Sequence, residues 1–288
     1  MSNDDTFFSQ ERPRLLGLAY RILSSYADAE DVVQEAWLRW HNQDRSKIDN
    51  PAGYLTTVVA HLAIDRTRAI ARRRETYIGP WLPEPIVSVR GPEDRAELAE
   101  SLTLGFLIML DRLSPIERAV WLLADVFGEP YSLIGKTTGK TEVACRQIAS
   151  RARRRLREQR PVPAEQLEAG LLTQLLTAVS EGDLAQTLAL LDTDVVLLSD
   201  GGPRQRAARY PVVGAGRVAR YVINLAQRFA VTGILATSVN GAAAMIVETE
   251  EYPPVVITGE QVEGRITRIF YLLNEEKMLG IAQPPLVR

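Results

Sequence analysis

The sequence predicts a multidomain chain: two all-α helical parts, the second a helix-turn-helix, followed by an α+β part. Three observations lead there. Apolar residues recur at helical spacing through the first 160 positions, in segments whose far ends are crowded with arginine. Between Ser114 and Arg157 such segments are punctuated by Gly128, Pro130 and Gly139, which stop one helix and turn between the next two. Beyond Pro161-Val162-Pro163 the helical segments alternate with runs rich in Val, Ile and Thr, which are strand-like.

Composition frames these elements. With 288 residues and 46% hydrophobic content, two or three domains with true cores are expected. The net charge of −2 argues against a generally basic, adhesive protein. Charge is segregated instead: residues 1–160 carry 24 Lys/Arg against 22 Asp/Glu, and the remainder 10 against 14. Clustered bases on a near-neutral chain are what a local nucleic-acid footprint requires. One cysteine, Cys145, allows no internal disulfide and fits a reducing, cytoplasmic setting. No apolar run approaches membrane-spanning length, and the polar start MSNDDTFFSQ is not a signal peptide. His41 and His61 are the only histidines, so neither a metal site nor a cofactor is expected.

From the amino terminus, Arg12–Ser25 reads as an amphipathic helix with Leu15, Leu16, Ala19, Ile22 and Leu23 inward. Ala27–Trp40 follows, with Val32, Val33, Ala36, Trp37 and Trp40 on one face. Asp28, Glu30, Asp31, Gln34 and Glu35 crowd its start, where acids complement the helix dipole. Asn50-Pro51 then caps a helix running to about Glu75, whose far end carries Arg66, Arg68, Arg72, Arg73 and Arg74.

Ser114-Pro115-Ile116-Glu117 is a capping-box opening. The helix it starts ends at Gly128 and Pro130; a short helix over Ser132–Thr138 and a longer one from Thr141 follow. Ala144, Ile148, Ala152 and Leu156 form an apolar stripe on the last, while Arg146, Gln147, Ser150 and Arg154 point away. Arginine forks onto guanine and glutamine onto adenine in the major groove. Arg146 to Arg160 holds seven arginines and one acid. A charge run alone is usually a solvated face; joined to this turn geometry it reads as DNA binding.

Gly79–Pro92 is too rich in proline and glycine for a continuous helix, yet Trp81, Leu82 and Pro83 are too apolar for an idle linker. Docking for stability and a regulatory role both account for them. In the tail, helices at Glu165–Ser180, Asp183–Leu191 and Gly214–Phe229 alternate with strands at Val195–Ser199, Val231–Val239, Ala243–Glu251, Val255–Ile257 and Ile266–Leu273. Helices on a curved antiparallel sheet are expected. The tail has no histidine and no acids at acid–base spacing, so catalysis is the minority reading.

AYRILSSYADAEDVVQEAWLRW, YLTTVVAHLAIDRTRAIARRR and LSPIERAVWLLADVFG…RQIASRARRRL together resemble a bacterial RNA polymerase sigma factor of the extracytoplasmic-function (ECF) type. GPWLPEP resembles the linker signature of a group within that family with a SnoaL-like cone domain at the carboxy terminus. The resemblance implies sigma domain 2 over 1–76, a linker over 77–93, sigma domain 4 over 94–160 and a SnoaL-like regulatory domain over 164–288. It implies core RNA polymerase (the β′ clamp helices and the β flap) and promoter DNA as partners, and leaves room for an unidentified small-molecule ligand of the tail.

By position, the resemblance places Asp31, Gln34 and Glu35 on the polymerase, and His61, Asp65, Arg66, Arg68, Arg72 and Arg73 at the −10 element. Arg146, Gln147, Ser150, Arg151 and Arg154 fall at the −35 element. Asp200-Gly201-Gly202 resembles a DGG motif of the group, and Asn274-Glu275-Glu276-Lys277-Met278 its Asn-Pro-Asp-Lys-Leu motif without the proline. Both also read as simple turns, with Gly201 and Gly202 supplying positive φ. His61 reads equally as a surface histidine, and Asp65 as the partner of a nearby arginine. YSLIGKTTGKTEVAC departs from the family's acidic-Ile-Ala stretch and Ser-rich turn; its apolar spacing is kept, so the change bears on the promoter sequence read. Two other functions fit parts of the chain: a ligand-responsive helix-turn-helix regulator, and a SnoaL-like isomerase or cyclase fused to a DNA-binding part.

Overall fold

The structure, a computed structural model, describes residues 3–75, 77–87, 102–158, 165–205 and 207–278, without side chains at 3–5, 45, 73 and 75. The chain divides into two compact units, one of residues 1–76 and 107–161, the other of 77–106 and 162–288.

In the first unit, α1 (Asn3–Leu23), α2 (Tyr26–His41) and α3 (Pro51–Glu75) pack around Leu15, Leu16, Ala19, Val33, Leu55 and Val59. Ser24 turns the chain with a positive φ of 56°, and the Ser25 hydroxyl accepts the Asp28 N–H to cap α2. The Asn50 side chain caps α3, accepting the Gly53 N–H at 2.9 Å. Trp37, expected inward, is 37% exposed and stacks on the His41 ring. At 3.6 residues per turn the buried stripe is Ala29, Val33, Ala36 and Trp40, which leaves Trp37 at its edge.

The helix-turn-helix follows α4 (Leu104–Leu110). It comprises α5 (Pro115–Trp121) with a π turn over Leu122–Val126, then α6 (Tyr131–Thr138) and α7 (Glu142–Glu158). The capping box at Ser114 and Glu117 forms, and Gly139, at φ 66°, closes α6 in the left-handed conformation. The buried stripe of α7 is Cys145, Ile148, Ala149, Ala152 and Leu156; Ala144, expected within it, is half-buried. Within this unit α6 packs on α3, with the Thr137 and Thr57 hydroxyls 3.2 Å apart.

The second unit is α+β. Its elements are β1 (Glu165–Gln166), α8 (Ala169–Glu181), α9 (Leu184–Leu190), β2 (Leu191–Asp200), β3 (Val212–Val213), α10 (Ala215–Arg228), β4 (Val231–Val239), β5 (Ala242–Thr249), β6 (Val255–Val262), β7 (Arg265–Leu272) and α11 (Glu275–Met278). The sheet runs β3-β2-β7-β6-β5-β4, with β1 on β6. It is mixed rather than antiparallel, because β2 and β7 pair in parallel. Tight turns make the β4–β7 meander antiparallel, whereas β2 reaches it through the long connection containing α10, which frees its direction. Glu165 and Gln166, expected as helix, are strand β1.

Register assigns the two faces of this sheet. Ser199, Tyr271, Ile257 and Met245 lie side by side and face α8 and α10 in the apolar core with Leu175, Val179, Val218 and Val222. Asp200, Leu272, Val256 and Ile246 lie side by side on the opposite face and are also buried. Burial on both faces explains why β6 reads as a nearly unbroken buried run.

Candidate nucleic-acid interface and linker clasp

On α7, Arg146, Gln147, Ser150, Arg151 and Arg154 are all exposed. The buried stripe at i, i+3, i+4, i+7 turns these positions outward. Arg146 lies over the Tyr131 ring, 5.1 Å from its centroid, and pairs with Glu142 at 3.3 Å. That stacking holds an arginine fork at the solvent edge of the turn. The rest of the arginine run is not uniform. Arg155 bonds Glu117 at 2.7 Å and Arg153 bonds Asp125 at 2.7 Å, bracing α7 against α5 and its π turn. The hydrogen bonds that Arg153 donates to Asp125 and then to Tyr131 raise its pKa and keep it firmly charged. Burial pushes the Glu117 carboxyl up, but the Ser114 bonds and the charges of Arg155 and Arg151 outweigh it and hold it below the usual range. Sequence spacing alone does not separate these braces from the outward arginines.

The other candidate residues lie on α2 and α3. Asp31, Gln34 and Glu35 are exposed along one face of α2, and the same face continues into exposed Trp37 and Leu38. On α3, His61, Asp65, Arg68 and Arg72 are exposed; the Arg73 side chain is outside the described residues. Asp65 pairs with Arg68 at 2.8 Å and lies 3.5 Å from His61. Arg66 reaches back to Asp28 at 2.7 Å and Asp31 at 2.9 Å. The Asp28 bond raises its already high pKa. A residue expected at DNA is thus tied to one expected at the polymerase.

Arg118, not singled out from sequence, is buried in the first unit. It donates to the Arg21 carbonyl, the Ser24 hydroxyl and Asp111, each at 2.6 Å. Burial depresses its pKa, opposed by Asp111.

The segment 77–87 is an extended strap built into the second unit. Asp200, fully buried on β2, is its anchor. Asp200 accepts from the Tyr77 hydroxyl, from the Leu82 N–H at 2.8 Å and from the Gly202 N–H at 3.2 Å. Lys277 bonds Asp200 at 2.7 Å and the Leu82 carbonyl, with its ammonium 3.7 Å from the centre of the Trp81 ring. Tyr77 meets Trp81 edge-on at 4.6 Å, and the Asn274 amide donates to the Tyr77 hydroxyl at 2.9 Å. Burial, then the Asp200 charge, raises the Tyr77 pKa and keeps the phenol protonated.

Leu82 and Pro83 are buried and Trp81 half-buried. Further on, Ile86 exchanges two hydrogen bonds with Asn240, at 3.0 and 2.9 Å, and Val87 bridges Val239. Only Gly202 of the expected pair has positive φ, at 65°; Gly201 is required for space, since a Cβ there would lie 2.7 Å from the Gln205 carbonyl oxygen. The DGG and Asn-Glu-Glu-Lys turns therefore meet at one clasp. Tyr77, 123 residues from its partner, carries no local signal of it.

Comparison with known proteins agrees with this layout. Residues 7–74 match Sigma-70 region 2 and residues 106–156 match Sigma-70, region 4. The chain is 38% identical over 231 residues to the ECF RNA polymerase sigma factor SigJ of Mycobacterium tuberculosis, covering 77% of this chain and 73% of SigJ. It is 34% identical over 268 residues to the probable ECF RNA polymerase sigma factor SigI of the same species, covering 91% and 90%. The crystal structure of SigJ matches 95% of this chain and 97% of its own at a TM-score of 0.78 and 29% identity. With both sigma regions in place and this identity across most of its length, the chain belongs to the ECF RNA polymerase sigma factors, which direct transcription initiation and are not enzymes.

Proposed function

We propose that this sigma factor is regulated in cis by its carboxy-terminal SnoaL-like unit, which holds the linker between the two promoter-reading parts. In this reading α2, through Asp31, Gln34 and Glu35 and the adjoining Trp37 and Leu38, docks on the β′ clamp helices. His61, Asp65, Arg68 and Arg72 on α3 serve the −10 element, and Arg146, Gln147, Ser150, Arg151 and Arg154 on α7 the −35 element, with the helix-turn-helix part also meeting the β flap. Exposed apolar side chains among polar ones favour a protein partner on α2.

The observation that carries the regulatory reading is the clasp. A linker that only joined two domains would be solvated, whereas Leu82 N–H, Leu82 carbonyl and the Tyr77 hydroxyl are committed to Asp200 and Lys277. A clasped linker has less length to give to the separation of the two DNA-binding parts, so releasing it shifts the population toward the promoter-bound arrangement. The test is transcription in vitro with purified core polymerase. Trp81→Ala and Tyr77→Phe are expected to raise promoter-dependent transcription over the parent chain, with circular dichroism unchanged. Unaltered transcription from both would refute cis regulation through the strap.

A further inference from the structure

The carboxyl ends of β2 and β7 serve two sites at once. Asp200 and Asn274 belong to the clasp. Ser199 and Leu273, each one residue earlier in the chain, instead line a cavity of about 150 Å³ between the sheet and helices α8 and α10. The alternation of strand side chains produces this arrangement, and the Leu273 N–H bonds the Asp200 carbonyl at 2.8 Å to join the two edges. Val179, Leu225, Ile234 and Val247 are among the apolar lining residues, and no Asp, Glu, Lys, Arg or His is among the lining residues.

Three phenols, Tyr221, Tyr252 and Tyr271, and the hydroxyls of Ser180, Ser199 and Thr249 break the apolar surface. The Tyr221 hydroxyl is met by the Ala208 backbone N–H, with burial raising its pKa. Tyr271, only 9% exposed, lines the same cavity; burial, then Tyr221, raises its pKa and keeps it a donor. As a cavity-lining phenol, Tyr271 can donate its O–H to an accepting group bound there. An apolar cavity of this volume takes a molecule of about one ring. Without a carboxylate, amine, guanidinium or imidazole in its lining it disfavours charge and offers no general acid or base near neutral pH.

We propose that this cavity is a receptor site for a neutral, single-ring organic molecule with one accepting oxygen, an aryl or alicyclic ketone or aldehyde, bonded to Tyr271. Its occupancy is transmitted to the strap through Ser199–Asp200 and Leu273–Asn274. The second statement rests on the regulatory reading of the clasp; the first does not.

Acetophenone is the probe, titrated into the full chain by calorimetry. Saturable binding is expected with a Kd of about 1 mM or tighter, within the range for so small a ligand. Benzoate, of the same shape but charged, is expected not to bind. Leu225→Trp, which fills the cavity, should abolish binding, and Tyr271→Phe should weaken acetophenone about tenfold while leaving isopropylbenzene unchanged. Hydrogen exchange at the Leu82 amide, the strap donor to Asp200, should slow when acetophenone is bound. Absence of saturable binding, or equal binding by the Tyr271→Phe chain and the parent, overturns the receptor site. Binding with unchanged Leu82 exchange overturns the coupling alone and leaves the transcription test of Trp81→Ala to judge the clasp.

Discussion

Arg118 and Arg146 show how differently one residue type acts within a single helical unit. Arg118 is buried with three acceptors and joins the start of α5 to the α1–α2 turn. Arg118→Ala would uncover the Ser24 hydroxyl and Arg21 carbonyl and leave Asp111 to Arg74 alone, 3.2 Å away. Breaking a buried pair costs about 3–5 kcal/mol, and the remaining Arg74 puts the expected loss near the lower figure, readable as a drop in urea midpoint. Arg146 is exposed and poised over Tyr131. Arg146→Ala is expected to leave stability nearly unchanged, to cost about 1–3 kcal/mol in promoter affinity and to relax one −35 position. Arg154→Ala should weaken all promoter variants alike and flatten the salt dependence. Equal losses from both substitutions on every variant would show that Arg146 does not read bases.

At the scale of elements, α2 and α5 carry the next expectations. Asp31, Gln34 and Glu35 share the outer face of α2, so Asp31→Lys with Gln34→Ala should weaken binding to core polymerase. The lost Asp31–Arg66 pair is half in solvent and of small worth to folding, because Asp28 still holds Arg66. Core binding equal to the parent's in a pull-down would exclude this face. The Glu117 carboxylate, stabilised by Ser114 and Arg155, has a depressed pKa in the folded chain. A depressed acid contributes stability that is present above its unfolded pKa and is lost as pH falls through the folded one. The parent should therefore lose stability relative to Glu117→Gln as pH drops below the ordinary carboxylate range; parallel pH profiles of urea midpoint would contradict this.

These elements also show what sequence makes legible. Helices α2, α3 and α7 follow from apolar periodicity and caps, which are local. The parallel pairing of β2 with β7, the brace from Arg155 to Glu117 and the clasp of Tyr77 on Asp200 join residues far apart in sequence, where spacing says nothing. The inward expectation for Trp37 failed because an aromatic at the edge of a stripe satisfies the same period whether it faces core or partner.

For the whole molecule, the geometry of the first unit sets a requirement. The −10 and −35 elements are about 25 base pairs apart, about 85 Å at roughly 3.4 Å per base pair. Yet α6 of the helix-turn-helix lies on α3, with Thr57, one turn before His61, touching Thr137. On the proposed assignment of α3 to the −10 element and α7 to the −35 element, recognition of both requires this contact to open. The two hydroxyl oxygens are close enough that thiols in their place could join. Thr57→Cys with Thr137→Cys, oxidised, is expected to lock the closed unit, abolishing promoter-dependent transcription, and addition of dithiothreitol should restore it. Cys145 is buried and should not compete for the bridge. Each single substitution serves as a control and should transcribe as the parent does under both conditions. If the cross-linked chain still initiates at a promoter bearing both elements, the packed arrangement of α3 and α6 is compatible with promoter recognition and opening is not a step in this protein's action.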